Sequence, residues 1–198
     1  MRKSLKKRNL RKRSNPVIMP TKKSYPALKI LIPSGKIEAR IAQIAKQINK
    51  NYSGKELVII GILKGSFIFM SDLVRALSFP LTCDFLRVSS YEKDRSTGVV
   101  RLEFDVTQPI QGKDVLLVED IVDTGSTLRH LIKHLKDKNP NSLKVATLLY
   151  KETGNDGRKL VDYIAFEVPN RFVIGYGLDS EGIYRSLPYV GAFPKTGA

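Results

Sequence analysis

With 198 residues, 42% of them hydrophobic, the chain can bury one ordinary core and not two large domains. Its single cysteine, Cys83, excludes an internal disulfide framework and any multi-cysteine metal site, and no apolar run reaches the roughly 18 residues of a membrane span. The formal net charge of +15 is concentrated: residues 1–23 hold ten of the 34 Lys and Arg residues and no acid, leaving about +5 for the remainder.

The block 1–24 has too little apolar area to offset its ordering entropy, so it is expected to be a basic, disordered extension ahead of a folded domain over residues 25–198. Four readings of it stay open: a solvated tail, an arm for nucleic acid or an anionic surface, an organelle transit peptide, or a true start at Met19. The beginning lacks the apolar core of a secretory signal. With one cysteine, a soluble protein in a reducing, cytoplasmic compartment and without membrane contact is expected.

After Pro33, Ser34 is placed as an N-cap, and Ile37, Ile41, Ile44, Ala45 and Ile48 recur at helical spacing as far as Asn49. Leu57–Ile62 is a continuous apolar run and reads as a buried strand. Leu63-Lys64-Gly65-Ser66 follows, then a helix on Phe69, Met70, Leu73, Val74 and Leu77. A strand at Thr82–Val88 ends in Ser89-Ser90-Tyr91, and residues 92–98 form a polar loop before an alternating strand, Val99–Val106. Val115–Val118 is short and wholly apolar, as in a strand buried on both faces of a parallel sheet. Thr124–Thr127 then open a helix whose apolar face is Leu128, Leu131, Ile132 and Leu135 and which runs to about Lys138. After an Asn139-Pro140-Asn141 turn come strands at Val145–Tyr150, Tyr163–Val168 and Phe172–Leu178, with a polar loop at 151–160. Strands alternating with helices give an α/β class: a parallel sheet with right-handed crossovers and helices on both faces.

Three loops follow the carboxyl ends of these strands: Leu63-Lys64-Gly65, residues 119–127, and Leu178-Asp179. Those ends share one edge of a parallel sheet, where open α/β folds hold their ligands. Thr124, Gly125, Ser126 and Thr127 offer backbone N–H groups and hydroxyls at a helix start, which suits a phosphate. Glu119 and Asp120 are adjacent on an extended backbone, so their side chains are expected to point to opposite sides and not to form a paired acid/base set. Vicinal sugar hydroxyls, or waters on a bound Mg²⁺, suit such acceptors better. No Gly-x-x-x-x-Gly-Lys-Ser/Thr occurs, which argues against a nucleotide triphosphatase, and no Gly-x-Gly-x-x-Gly follows the first strand, which argues against a dinucleotide enzyme. The pattern reads as a site for a phosphorylated sugar.

Val118-Glu119-Asp120-Ile121-Val122-Asp123-Thr124-Gly125-Ser126-Thr127 resembles the diphosphate-sugar motif of the type I phosphoribosyltransferases. More narrowly, the chain from about Lys29 to Phe193 resembles the hypoxanthine-guanine phosphoribosyltransferases. Gly61-Ile62-Leu63-Lys64-Gly65-Ser66-Phe67 matches their first loop, and Ser90-Tyr91 with Ser96-Thr97-Gly98 their flexible loop. Phe172-Val173-Ile174-Gly175-Tyr176-Gly177-Leu178-Asp179 with Tyr184-Arg185 matches their purine-site segment.

The resemblance implies the type I fold, a central parallel sheet flanked by helices with a small hood built from the chain ends. It implies transfer of phosphoribosyl from 5-phospho-α-D-ribose 1-diphosphate to N9 of hypoxanthine or guanine, with Mg²⁺ as cofactor and a homodimer or homotetramer as the assembly. Asp123 would be the catalytic residue, beside N7 of the purine. Thr124, Gly125, Ser126 and Thr127 would hold the 5′-phosphate, and Glu119 and Asp120 the ribose hydroxyls, directly or through Mg²⁺. Leu63, Lys64 and Gly65, with a cis peptide after Leu63, and Arg185 would meet the diphosphate. Ser90 and Tyr91 would tip a closing loop. Lys151 would contact O6 of the base, Phe172 would stack on it, Val173 would offer main-chain groups, and Asp179, at the purine end, would take a second Mg²⁺. Ser126 falls at a variable place of the family motif and Ser180 replaces a frequent aromatic; neither carries a role above. A xanthine-preferring or hypoxanthine-only enzyme is the near alternative. A phosphoribosyltransferase-fold RNA-binding regulator and a non-catalytic sugar-phosphate sensor are the others. The complete purine segment and Asp123 favour the enzyme, with nucleic acid not expected as a partner.

Overall fold

Leu57–Leu63 (β2) and Asp114–Val122 (β5) are buried along most of their length, so both of their faces must be covered, and they lie side by side at the centre of a six-stranded sheet. The computed structural model describes residues 28–90, 100–152 and 156–194. In chain order the other elements are β1 (Lys29–Ile32), α1 (Ser34–Tyr52), α2 (Phe67–Arg75), β3 (Leu81–Ser90), β4 (Val100–Phe104) and α3 (Ser126–Lys136). They are followed by β6 (Ser142–Glu152), a short 3-10 helix at Asp156–Leu160, β7 (Tyr163–Pro169) and β8 (Val190–Ala192). The sheet order is β4-β3-β2-β5-β6-β7, parallel throughout except for β4, which pairs antiparallel with β3.

Side chains alternate across β5 as the strand period requires. Leu116 and Val118 enter the core under α1 and α2, whereas Val115 and Leu117 enter the core under α3. Ile37, Ile41, Ile44, Ala45, Ile48 and Tyr52 form the buried stripe of α1; Leu128, Leu131 and Leu135 form that of α3. β1 and β8, from the two ends of the chain, pair antiparallel as a separate two-stranded hood. On the outer side of β7, the Arg40 side chain of α1 donates from Nε to Ala165 O at 2.9 Å and from Nη2 to Ile164 O at 2.8 Å. No helix among the described residues is long and apolar enough to cross a membrane.

Several expectations are corrected. Pro33 is the N-cap of α1 and Ser34 its first residue; the helix also runs on past Asn49, because Tyr52 continues the buried stripe one turn beyond Ile48. Residues 172–178 are not a strand. Gly175, Tyr176 and Gly177 have φ of 92°, 51° and 100°, a left-handed run that no strand accommodates, and the turn closes by Gly175 N–H to Leu178 O at 3.0 Å. Within 151–160, β6 persists to Glu152 and a 3-10 turn begins at Asp156. The tail 1–24 and the loop 92–98 lie outside the described residues.

Candidate active site

β5 outruns β2. Their pairing ends at Gly61 and Val118, whereas β5 continues against β6 through Ile121–Leu149 and Val122–Tyr150. β2 itself runs on to Leu63, level with Asp120, but does not pair with β5 beyond Gly61, and the loop that follows β2 meets β5 there. The chain then turns at Gly125, in the left-handed region with φ 75°, and α3 begins at Ser126 with no side-chain cap. A pocket of about 140 Å³ lies here, lined by Glu119 and residues 121–128. On its outer side, Arg129 Nη2 donates to Thr124 O at 2.9 Å.

The three loops converge through glycines. A Cβ at position 65 would stand 1.4 Å from Asp120 Oδ2, and one at position 177 would stand 2.1 Å from Gly65 O. The Gly175–Leu178 turn therefore rests on the first loop, and the first loop rests on Asp120. The Leu63–Lys64 peptide is cis, and Ser66 Oγ donates to Ile62 O at 2.6 Å. Arg185 ties the third loop together: its Nη2 lies 2.7 Å from Asp179 Oδ1 and its Nη1 donates to Gly177 O at 2.6 Å. Gly182 N–H donates to Asp179 Oδ2 at 2.7 Å.

Glu119 lines the pocket, whereas Asp120 Oδ2 lies against Gly65, so the two adjacent carboxyls face different surroundings. Burial, then the neighbouring Asp120 charge, push the Glu119 carboxyl well above its ordinary range. Burial also raises Asp120, opposed by its Glu119 neighbour, the Ile121 N–H at 2.9 Å and the Arg185 charge. Among the described residues, Glu119 Oε2 is buried without a hydrogen-bond partner.

Across the pocket mouth, Lys151 Nζ lies 3.0 Å from Asp123 Oδ2. Lys151 is near the end of β6, beyond the level where Tyr150 pairs with Val122, and so it reaches over the turn that follows β5.

A phosphoribosyl transferase domain family model matches residues 28–181. A hypoxanthine-guanine phosphoribosyltransferase of Dictyostelium discoideum is 46% identical over 167 residues, covering 82% of this chain and 93% of its relative. The chain belongs to the hypoxanthine-guanine phosphoribosyltransferase family. The hypoxanthine phosphoribosyltransferase of Salmonella typhimurium is 43% identical over 83% of this chain and 94% of its own length. Two solved members superpose closely. One, from Staphylococcus aureus, has a TM-score of 0.79 at 40% identity over 84% of this chain and 91% of its own; the other, from Bacillus anthracis, has 0.80 at 37% over 85% and 100%.

Of the residues expected from the family motifs, Leu63, Lys64, Gly65, Glu119, Asp120, Asp123, Thr124 to Thr127, Lys151, Asp179 and Arg185 lie on or beside this edge. Phe172 is 60% exposed and stands with Phe193 around a second hollow of about 400 Å³; their rings are 6.5 Å apart and 15° from parallel. Val173 is buried beside it. Ser90 ends β3, and Tyr91 lies outside the described residues. Sequence reasoning quoted Gly177 and Tyr184 within the purine-site segment without giving them a role, and gave none to Arg129 or to Phe193, whose ring Tyr184 meets edge-on at 5.7 Å. The Gly-Tyr-Gly run was the available signal for the first of these.

Proposed function

We propose that the protein is a purine salvage enzyme that transfers the 5-phosphoribosyl group of 5-phospho-α-D-ribose 1-diphosphate to N9 of hypoxanthine or guanine, giving IMP or GMP and pyrophosphate. The observation that carries this reading is the Lys151–Asp123 pair, 3.0 Å apart at the rim of the 119–128 pocket. O6 and N7 lie on one edge of a 6-oxopurine, and an ammonium beside a carboxylate matches that edge: Lys151 donates to O6 and Asp123 accepts from N7–H. As the bond from C1 to the diphosphate oxygen breaks, its electron pair leaves with pyrophosphate; N9 then bonds to C1 and the N7 proton passes to Asp123. Because the sugar passes through an oxocarbenium-like state, no protein nucleophile is needed, and positioning with charge stabilisation does the work.

The remaining roles follow from position. The backbone and hydroxyls of Thr124, Gly125, Ser126 and Thr127 hold the 5′-phosphate at the start of α3. Glu119 and Asp120 accept from the ribose hydroxyls. Leu63, Lys64 and Gly65 present backbone to the diphosphate, and Arg185 offers it a guanidinium. Ser90, at the end of β3, leads toward Tyr91, and excluding water from the activated sugar is the role the family resemblance gives to both. Phe172 stacks on the base, an interaction of about 0.5–1.5 kcal/mol beyond area burial, and Val173 lends main-chain groups to its edge.

Magnesium suits these residues: an oxygen-only set that includes a buried, unpartnered Glu119 Oε2 fits a hard cation. Glu119 and Asp120 would hold one ion and Asp179 a second, which when bound would neutralise charge on the departing diphosphate; among the described residues no three such side chains cluster as one metal site. The family also supports a homodimer or homotetramer in the cytoplasm, and sedimentation velocity of the full chain tests the assembly. The deciding assay mixes the protein with Mg²⁺, the diphosphate sugar and hypoxanthine, guanine or xanthine in turn. Nucleoside monophosphate from the first two is expected. Product from xanthine first selects the near alternative, and no product from any base overturns the reading.

A further inference from the structure

Arg129 lies in the first turn of α3 and is exposed, outside the wall of the 119–128 pocket. Its backbone N–H donates to Gly125 O at 2.9 Å in the helical manner, but its guanidinium reaches back five residues, with Nη2 donating to Thr124 O at 2.9 Å. The Thr124–Gly125 peptide is trans, so its C=O and N–H point in opposite directions. Holding the carbonyl outward turns the Gly125 N–H inward, and that N–H meets no acceptor among the described residues.

The orientation needs an outside hold. Gly125 sits at φ 75°, and glycine populates positive and negative φ about equally, so the peptide plane ahead of it can turn over at no side-chain cost. A turned-over plane would offer a carbonyl oxygen to the phosphate, replacing attraction by repulsion. Packing limits translation of the turn, since a Cβ at position 125 would stand 3.0 Å from Gly157 Cα and 3.1 Å from Leu160 Cδ1. It does not fix the plane. Asp156, itself held by Lys159 at 2.7 Å, adds a favourable charge near the guanidinium.

We infer that Arg129 is a positioning residue of the phosphate turn: its hydrogen bond to Thr124 O fixes the peptide so that the Gly125 N–H is presented to the 5′-phosphate of the ribosyl donor. This rests on the phosphoribosyl-transfer reading of the same site. Arg129→Met keeps the aliphatic stem and removes every donor, and Arg129→Lys restores one. Two readouts are taken on the full chain: steady-state kinetics with each substrate varied, and amide NMR of Gly125 during titration with ribose 5-phosphate.

For Arg129→Met, KM for the diphosphate sugar rises about tenfold, the worth of one charge-assisted hydrogen bond. KM for hypoxanthine, kcat and Tm stay near the unaltered chain. The Gly125 amide response weakens, and Arg129→Lys recovers part of both effects. If either the KM or the amide response is unchanged, or if Tm and both KM values shift together, the inference is overturned while the enzyme reading stands. No turnover and no ribose 5-phosphate response in the unaltered chain would instead overturn the enzyme reading itself.

Discussion

The two ends of β5 carry carboxylates in opposite circumstances. At the amino end, Asp114 is buried and accepts from Asn141 Nδ2 at 2.9 Å and from Ser142 Oγ. Asp84 in β3, one strand beyond β2, is likewise closed, accepting from the N–H groups of Thr107 at 2.8 Å and Gln108 at 3.0 Å. At the carboxyl end, Asp120 accepts from the Ile121 N–H at 2.9 Å, and Glu119 Oε2 has no hydrogen-bond partner among the described residues. A buried polar group left unsatisfied costs about 1–3 kcal/mol. The fold avoids that cost where a carboxylate is structural and accepts it where the sheet edge is open to ligands.

The contrast can be broken most severely at Asp123. Asp123→Asn removes the proton acceptor and is expected to lower kcat about 10²–10⁴-fold, the usual range for a general acid/base group. Steady-state turnover with hypoxanthine checks it, and an unchanged rate would move the N7 chemistry elsewhere. At the closed end, Asp114→Ala strands the donors of Asn141 and Ser142 and should lower stability by about 2–3 kcal/mol in urea unfolding, with KM values intact. A shift in KM there would mean the two ends are not independent.

Smaller effects sharpen the comparison. Gly65→Ala places a methyl where the Asp120 carboxyl lies, and displacing that group raises KM for the diphosphate sugar about tenfold. The smallest effect concerns pH. Because burial lifts the Glu119 carboxyl well above 4.5, the folded chain binds this proton more tightly than the unfolded chain. Stability from this group is therefore complete below about 4.5 and is lost as pH rises through the higher folded value. Glu119→Gln removes that slope and should gain about 1 kcal/mol at about pH 8 while changing little at about pH 4, read from urea midpoints. Equal gains at both pH values would show that the proton is not held at Glu119.

Much of this architecture was legible in the chain because hydrophobic periodicity reports burial. The stripe Ile37, Ile41, Ile44, Ile48 and the runs Leu57–Ile62 and Val115–Val118 are buried as their spacing requires, and the convergence of three loops follows from the parallel sheet they imply. Periodicity does not report backbone pairing. β5 continues through Glu119 and Asp120 to Val122 because it still bonds to β6, although its apolar run has ended. Nor does it report φ: Phe172 to Leu178 is as apolar as a buried strand, yet Gly175, Tyr176 and Gly177 turn left-handed. The residue roles came from motif resemblance, and the contact of Asp120 with the first loop came from neither, since it depends on how closely the glycines let the loops approach.

The Arg40 fork on β7 has a consequence for how the molecule behaves in a crowd. In a parallel strand the backbone groups of successive residues face opposite sides, so one of the Ile164 and Ala165 carbonyls looks away from β6, toward whatever approaches the sheet border. An open border of this kind is a template for adding foreign strands, the first step of aggregation. Arg40 already occupies both carbonyls. A helix whose inner stripe builds the core thus spends one outer side chain keeping the sheet at six strands.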